Sequence, residues 1–142
     1  MTSTILESLI QHLASLSFVK WVDIDEGQID VPERPAVAFP CVLLEMGYTG
    51  CESISVKTQR VKAEIGLRVA FHPVGATNAN APTIVRQKSL ARFDQLQELH
   101  RHLQGWKPDG CLIPLRRTKA MPEQREDGIR VYQFIYTTEV LD

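Results

Sequence analysis

From Gln59 to Phe71 the chain alternates. Every odd position from Val61 to Phe71 is apolar, and the even positions from Arg60 to Arg68 are charged or glycine. Period two predicts a β-strand with one buried and one wet face. At roughly 3.3 Å per residue such a strand spans roughly 40 Å, against a radius of gyration of roughly 14 Å for a compact chain of this size. It therefore crosses the whole molecule, with Arg60, Lys62, Glu64 and Arg68 on its outer face. A charged face of that length suits a surface that meets a partner.

Helical spacing marks two other stretches. Ile5, Leu6, Leu9, Ile10, Leu13 and Leu16 share an arc of about 140° on a helical wheel, with Glu7, Gln11, His12 and Ser15 outside it. Thr4 and Glu7 have capping-box spacing, which predicts a helix starting at Ser3 or Thr4 and ending near Leu16 or Ser17. A second helix is predicted from Thr83 to Leu103. Val85, Phe93, Leu96, Leu99 and Leu103 lie on one side of it, Leu90 is nearby, and Gly105 stands at the position after the cap.

Between the helices, Phe18–Ile24 reads as a short strand or extended connector. Asp25-Glu26-Gly27 is a turn, and Pro32 and Pro35 punctuate a loop. Cys41–Met46 reads as a strand in the middle of a sheet, with Pro40 at an edge, a bulge or its beginning. Gly47–Glu52 reads as a loop before the long strand, which could start as early as Ser55. The small, polar run His72–Pro82 is expected to be a mobile surface loop. After the second helix come a turn at Trp106–Gly110, a strand at Cys111–Lys119 limited by Pro114, a charged turn at Ala120–Gly128 and a strand at Ile129–Val140. The last two strands should form a hairpin. This order predicts a single α+β domain over residues 1–142: a mostly antiparallel sheet with two helices packed on one face, in the order α-β-β-α-β-β or with a third strand before the second helix.

Composition narrows the classes. With 142 residues, 44% hydrophobic and 23% charged, the chain is an ordinary globular one. A net charge of -1 argues against a dedicated nucleic-acid binder. No apolar run reaches about eighteen residues, so no membrane-spanning helix is expected. The N-terminus lacks a basic region followed by an apolar one, so no signal peptide is expected. Cys41, Cys51 and Cys111 form no C-x-x-C pair and read as reduced thiols.

Candidate chemistry is sparse. His100 and His102 point about 200° apart on a helix and cannot share a metal ion. His100 reads as a packing residue, and His102 as a complement to the helix dipole. No nucleophile elbow, phosphate loop or zinc-protease motif is present. Asp25 and Glu26, with Asp23 and Asp30 nearby, read as a solvated acidic loop. Arg116, Arg117, Lys119, Arg125 and Arg130 make the last hairpin basic, among Glu123, Glu126 and Asp127. That end is either a solvated hairpin with weak surface ion pairs or an interaction loop.

The layout resembles a known family. A P-x-V-x-L-E-type strand appears as Pro40-Cys41-Val42-Leu43-Leu44-Glu45, and the long strand ends in Phe71-His72-Pro73. A helix of L-x-x-F-x-x-L-x-x-L type follows, then Pro114-Leu115-Arg116-Arg117 and the closing Asp127-Gly128-Ile129-Arg130-Val131-Tyr132-Gln133-Phe134. From Ile5 to Val140 this is similar to the tail terminator, or tail-completion, proteins of tailed bacteriophages and prophages. The resemblance implies a structural role without catalysis or cofactor. It implies a ring, commonly a hexamer, that caps the tail tube, stops its growth and joins it to the head. The implied partners are other copies of the chain, the tail tube protein and a head–tail connector protein, with no specific nucleic acid and no membrane. The implied setting is the host cytoplasm during assembly and then the virion tail. By position, Arg60, Lys62, Glu64, Arg68, Arg116, Arg117, Lys119 and Arg125 are the interface candidates. The residues alone also leave open a small ligand-binding domain or enzyme, and a neck or connector protein of the same assembly.

Overall fold

A computed structural model describes residues 2–32 and 36–142; the expected loop proline Pro35 lies outside the described residues. The alternating stretch is strand β3, Gln59–Phe71, at the centre of a five-stranded sheet. Around it lie β1 (Trp21–Ile24), β2 (Cys41–Ser53), β4 (Arg116–Glu123) and β5 (Arg130–Leu141), in the order β1-β2-β3-β5-β4. β1 runs parallel to β2, and every other neighbouring pair is antiparallel. Helices α1 (Thr2–Ala14) and α2 (Thr83–Leu103) complete the predicted α+β layout.

The odd residues of β3 build the main core. Val61, Ala63, Ile65, Leu67, Val69 and Phe71 pack with Ile5, Leu9 and Leu13 of α1, with Leu96, Leu99 and Leu103 of α2, and with Phe134, Tyr136 and Val140 of β5. Burying each large side chain is worth about 1.5–3 kcal/mol, so this face holds the helices. Pro40 stands directly before β2, where its carbonyl accepts from Lys20 N–H and opens the β1–β2 ladder. Gly105 carries φ +79° after α2, the left-handed turn a glycine makes without a Cβ clash.

Several boundaries differ from expectation. α1 begins at Thr2, so Thr4 lies inside the helix and the Thr4/Glu7 capping box is not formed. Thr2 Oγ1 bonds the Tyr48 hydroxyl at 2.9 Å, which anchors the first turn to β2. The expected loop Gly47–Glu52 is strand: β2 continues to Ser53 and pairs with β3 along its whole length, with an irregularity between Tyr48 and Gly50. The backbone groups of β3 need partners over that whole length, and pairing overrides the low strand preference of glycine. The turn falls instead at residues 54–58, so Ser55 precedes β3. The strand expected at Cys111–Lys119 is displaced. Cys111 makes one isolated bridge to Val140, and β4 runs through the predicted charged turn to Glu123. β4 is an edge strand, which tolerates Pro122 because an outward-facing position needs no N–H.

The outer face is only partly wet. Ile29, Cys41, Leu43, Ala70, Ile129 and Val131 form a second small core on it, with Val37 and Phe39 packed alongside. The segment after β1 folds over one end of the sheet and covers these residues.

Candidate functional site

The open remainder of that outer face is a groove of about 380 Å³. Its floor includes Gly66, paired with Glu45 across the β2–β3 ladder, and Gly47, paired with Glu64. No heavy atom lies within 4 Å of where a Gly47 Cβ would stand, so the floor is bare and shallow. Glu45, Glu64, Gln133 and Ile135 stand around it, and Asp25 and Arg68 close one end.

The closed end is a charge cluster. Arg68 Nη1 and Nη2 donate to the two oxygens of Asp30 at 2.8 and 2.9 Å, a bidentate pair. Nη1 also reaches Asp25 at 3.3 Å, and Nη2 reaches Glu123 at 2.8 Å. Arg125 donates to Asp30 at 3.0 Å, to Glu123 at 2.8 Å, to Asp127 and to the Ile29 carbonyl. Their side chains are only 17% and 10% exposed. The hydrogen bond from Arg68 is the largest influence on Asp30 and holds its carboxyl at about 2. Burial alone would raise Glu123; hydrogen bonds from Arg68, Arg125 and Gln133 outweigh it and leave the group lowered. The acidic segment expected to be solvated is thus pinned to the sheet by two arginines. No local spacing joins Asp30 to Arg68 or Arg125, because the contacts span 38 and 95 residues.

The eight candidate residues therefore divide. Arg68 and Arg125 are occupied within the chain and do not present their charge outward. Arg60 lies on the open face, half-exposed, and pairs with Glu139 at 2.9 Å. Lys62 is exposed and Glu64 is half-buried at the groove. Arg116, Arg117 and Lys119 are exposed on β4, but a register shift between Arg117 and Lys119 separates them. Arg116 and Lys119 stand opposite Thr137 and Ile135 on the open face. Arg117 stands opposite Tyr136 on the helix face, its guanidinium 5.1 Å from the Phe134 ring centroid.

The histidines join the helices. His12 and His102 stack at 3.7 Å, and His12 also stacks on Trp106 at 3.7 Å. Each Nε2 lies 2.8 Å from the other's carbonyl, so both rings donate from Nε2. Burial lowers His12, against the opposing hydrogen bond to the His102 carbonyl. His100 Nδ1 meets the Tyr136 hydroxyl at 2.8 Å; burial, with the charge of Arg117, lowers it too. Burial pushes Tyr136 up to about 12. His102 thus serves the α1–α2 junction, a role its place at a helix end did not reveal. No His, Cys, Asp or Glu group suited to a metal ion occurs among the described residues, and no helix is long and apolar enough to cross a membrane.

No protein-family model and no curated protein matches the chain. A solved structure described as the virion of a native gene transfer agent (GTA) particle contains a similar chain. The likeness covers 99% of this chain and 97% of that one, with a TM-score of 0.62 and 14% identity. At that identity the likeness defines a shared fold over the whole length.

Proposed function

We propose that this chain is a structural protein of a tailed, phage-like virion, and that it acts as a tail terminator. The observation that carries the reading is the likeness of fold, end to end, to a chain from the virion of a native gene transfer agent particle. The surface supports it. Among the described residues β1 and β4 are the edge strands of the sheet, the outer face is bare between Glu45 and Ile135, and β4 is exposed along nearly its whole length. In this reading copies associate into a closed ring, commonly of six, on the end of the tail tube. The ring stops tube growth and offers its other side to a head–tail connector protein. Arg60, Lys62, Glu64, Arg116 and Lys119 on the open face, and Arg117 on the helix face of β4, meet the partners. Arg68 and Arg125 hold the bordering loop in place. Assembly takes place in the host cytoplasm, and the protein ends in the virion tail. It performs no catalysis and uses no cofactor. Deleting its gene and viewing the particles by negative-stain electron microscopy tests this. Separate heads and headless tails of uneven length are expected; joined particles with tails of normal length would refute it.

A further inference from the structure

The loop after β3 comes back against α2. A Cβ at Gly75 would stand 2.9 Å from Val85 Cγ1 and 3.2 Å from Ser89 Oγ, so glycine is what lets the backbone approach the helix that closely. Between this loop, the end of β3 and α2 lies a groove of about 610 Å³. Its lining on α2 runs from Val85 to Gln95, roughly 15 Å at about 1.5 Å per residue. At roughly 3.3 Å per residue, that is the length of about four or five residues of extended chain. Phe39, Pro40, Phe71 and Val85 make its walls largely apolar.

The charge of the groove has one sign. Its titratable side chains are His72, Lys88 and Arg92, and among the described residues no Asp or Glu lines it. The chain as a whole has a net charge of -1, so this gathering of bases is local. Arg92 is held from within the chain: Nε donates to the Tyr132 hydroxyl at 2.8 Å, and Nη1 donates to the Ser89 carbonyl. Neither Arg92 nor Lys88 is ion-paired among the described residues. Arg92 is thus a fixed cation with Nη2 to spare, and fixing a donor in advance lowers the cost of binding.

Ser89 supplies a third donor. It is 4% exposed and lines the groove. Its carbonyl is taken by Arg92, but its hydroxyl bonds to no described residue. A hydroxyl so nearly removed from water is costly to leave unpaired. An acceptor in the groove would relieve that cost.

We propose that this groove binds an extended peptide segment of another protein, in which a carboxylate side chain lies between aliphatic ones. Successive side chains of an extended chain point to opposite sides. The aliphatic ones meet Phe39, Pro40 and Phe71, and the carboxylate between them accepts from Lys88, Arg92 Nη2 and the Ser89 hydroxyl. A nucleic-acid strand would want a continuous basic track rather than apolar walls. The proposal needs only the groove and is independent of the tail-terminator reading.

Two-dimensional NMR of the isotope-labelled full chain tests it. The probes are capped pentapeptides with Glu at the centre and Leu, Ile or Val on either side, and the same peptides with Gln or Lys at the centre, each added to millimolar concentration. The Glu peptides are expected to shift the amide signals of Val74, Gly75 and Ser89, and the Gln and Lys peptides to bind at least about tenfold more weakly. Lys88→Glu, at an exposed helix position, should abolish the shifts, and Lys88→Arg should keep them. Ser89→Ala should fold like the wild type, since alanine suits a helix and no bond to the hydroxyl is lost, yet bind the Glu peptides about threefold or more weakly. Equal binding of all three peptide sets, or no shift at these signals, overturns the proposal. So does a single-stranded oligonucleotide that moves the same signals where the Glu peptides do not, which would assign the bases to nucleic acid. Self-association of the wild type that Lys88→Glu abolishes, without peptide binding, would assign the groove to a second copy and overturn it as well. None of these results touches the tail-terminator reading, which the deletion phenotype decides.

Discussion

Arg68 reads in the sequence as one more charge on a wet strand face, yet its guanidinium engages Asp25, Asp30 and Glu123. Alternation tells which face a residue points to, and it was right about that. It does not tell what covers the face, because the covering acids come from distant segments. The consequence is energetic. Removing one partner of a well-buried ion pair costs about 3–5 kcal/mol, and this cluster is partly wet, so Arg68→Ala should cost about 2 kcal/mol in urea denaturation. Lys62→Ala, exposed on the same strand, should stay within about 0.5 kcal/mol. Charge reversal at Arg68 is accordingly expected to damage folding as well as any contact. The pH dependence follows the same pair. Asp30 is depressed in the folded state to about 2, against about 3.9 when unfolded. Its contribution is therefore fully present above about pH 4 and is lost as pH falls through about 2. Acid titration of stability should show that limb in the wild type and a weaker one in Arg68→Ala.

At the scale of elements, periodic stretches were legible and the joints between them were not. β3 and α2 have the bounds their patterns predict. β2 runs beyond its pattern, because the long central strand pairs with it along its length despite its glycines, and β4 is displaced to Arg116–Glu123, where it pairs with β5. The second small core was missed since Ile29 sits alone in an acidic, proline-bearing segment with no periodicity around it. Ile29 is fully buried, so Ile29→Ala should cost about 2–5 kcal/mol by thermal or urea unfolding. A value near zero would mean the segment does not seal the outer face. The α1–α2 junction gives a second prediction. His12 and His100 are lowered in the folded state, so the unfolded chain binds more protons near pH 6.5. Their stabilising effect is present above that pH and is lost as pH falls through their folded values. The melting temperature should fall from pH 7.5 to pH 5, and His12→Phe, which keeps the stack and cannot charge, should flatten that fall.

For the whole molecule, the α+β class and the two-helix face could be read from residue order alone, and the resemblance to tail terminators suggested the role proposed above. Of the candidate surface, the strand face was legible and its division was not: two of its arginines turn inward, and one basic residue of β4 points to the helix face. What remains outward among the described residues is a bare sheet face between two edge strands, the surface that the proposed reading gives to partners. The account requires the protein to sit at one place in a particle. Cryo-electron microscopy of intact particles, with the chain fitted into the density, reads that place directly. The account predicts a closed ring of this fold between the last tail-tube ring and the head connector. Finding the fold in the capsid or at the distal tip, or absent from the particle, would contradict it.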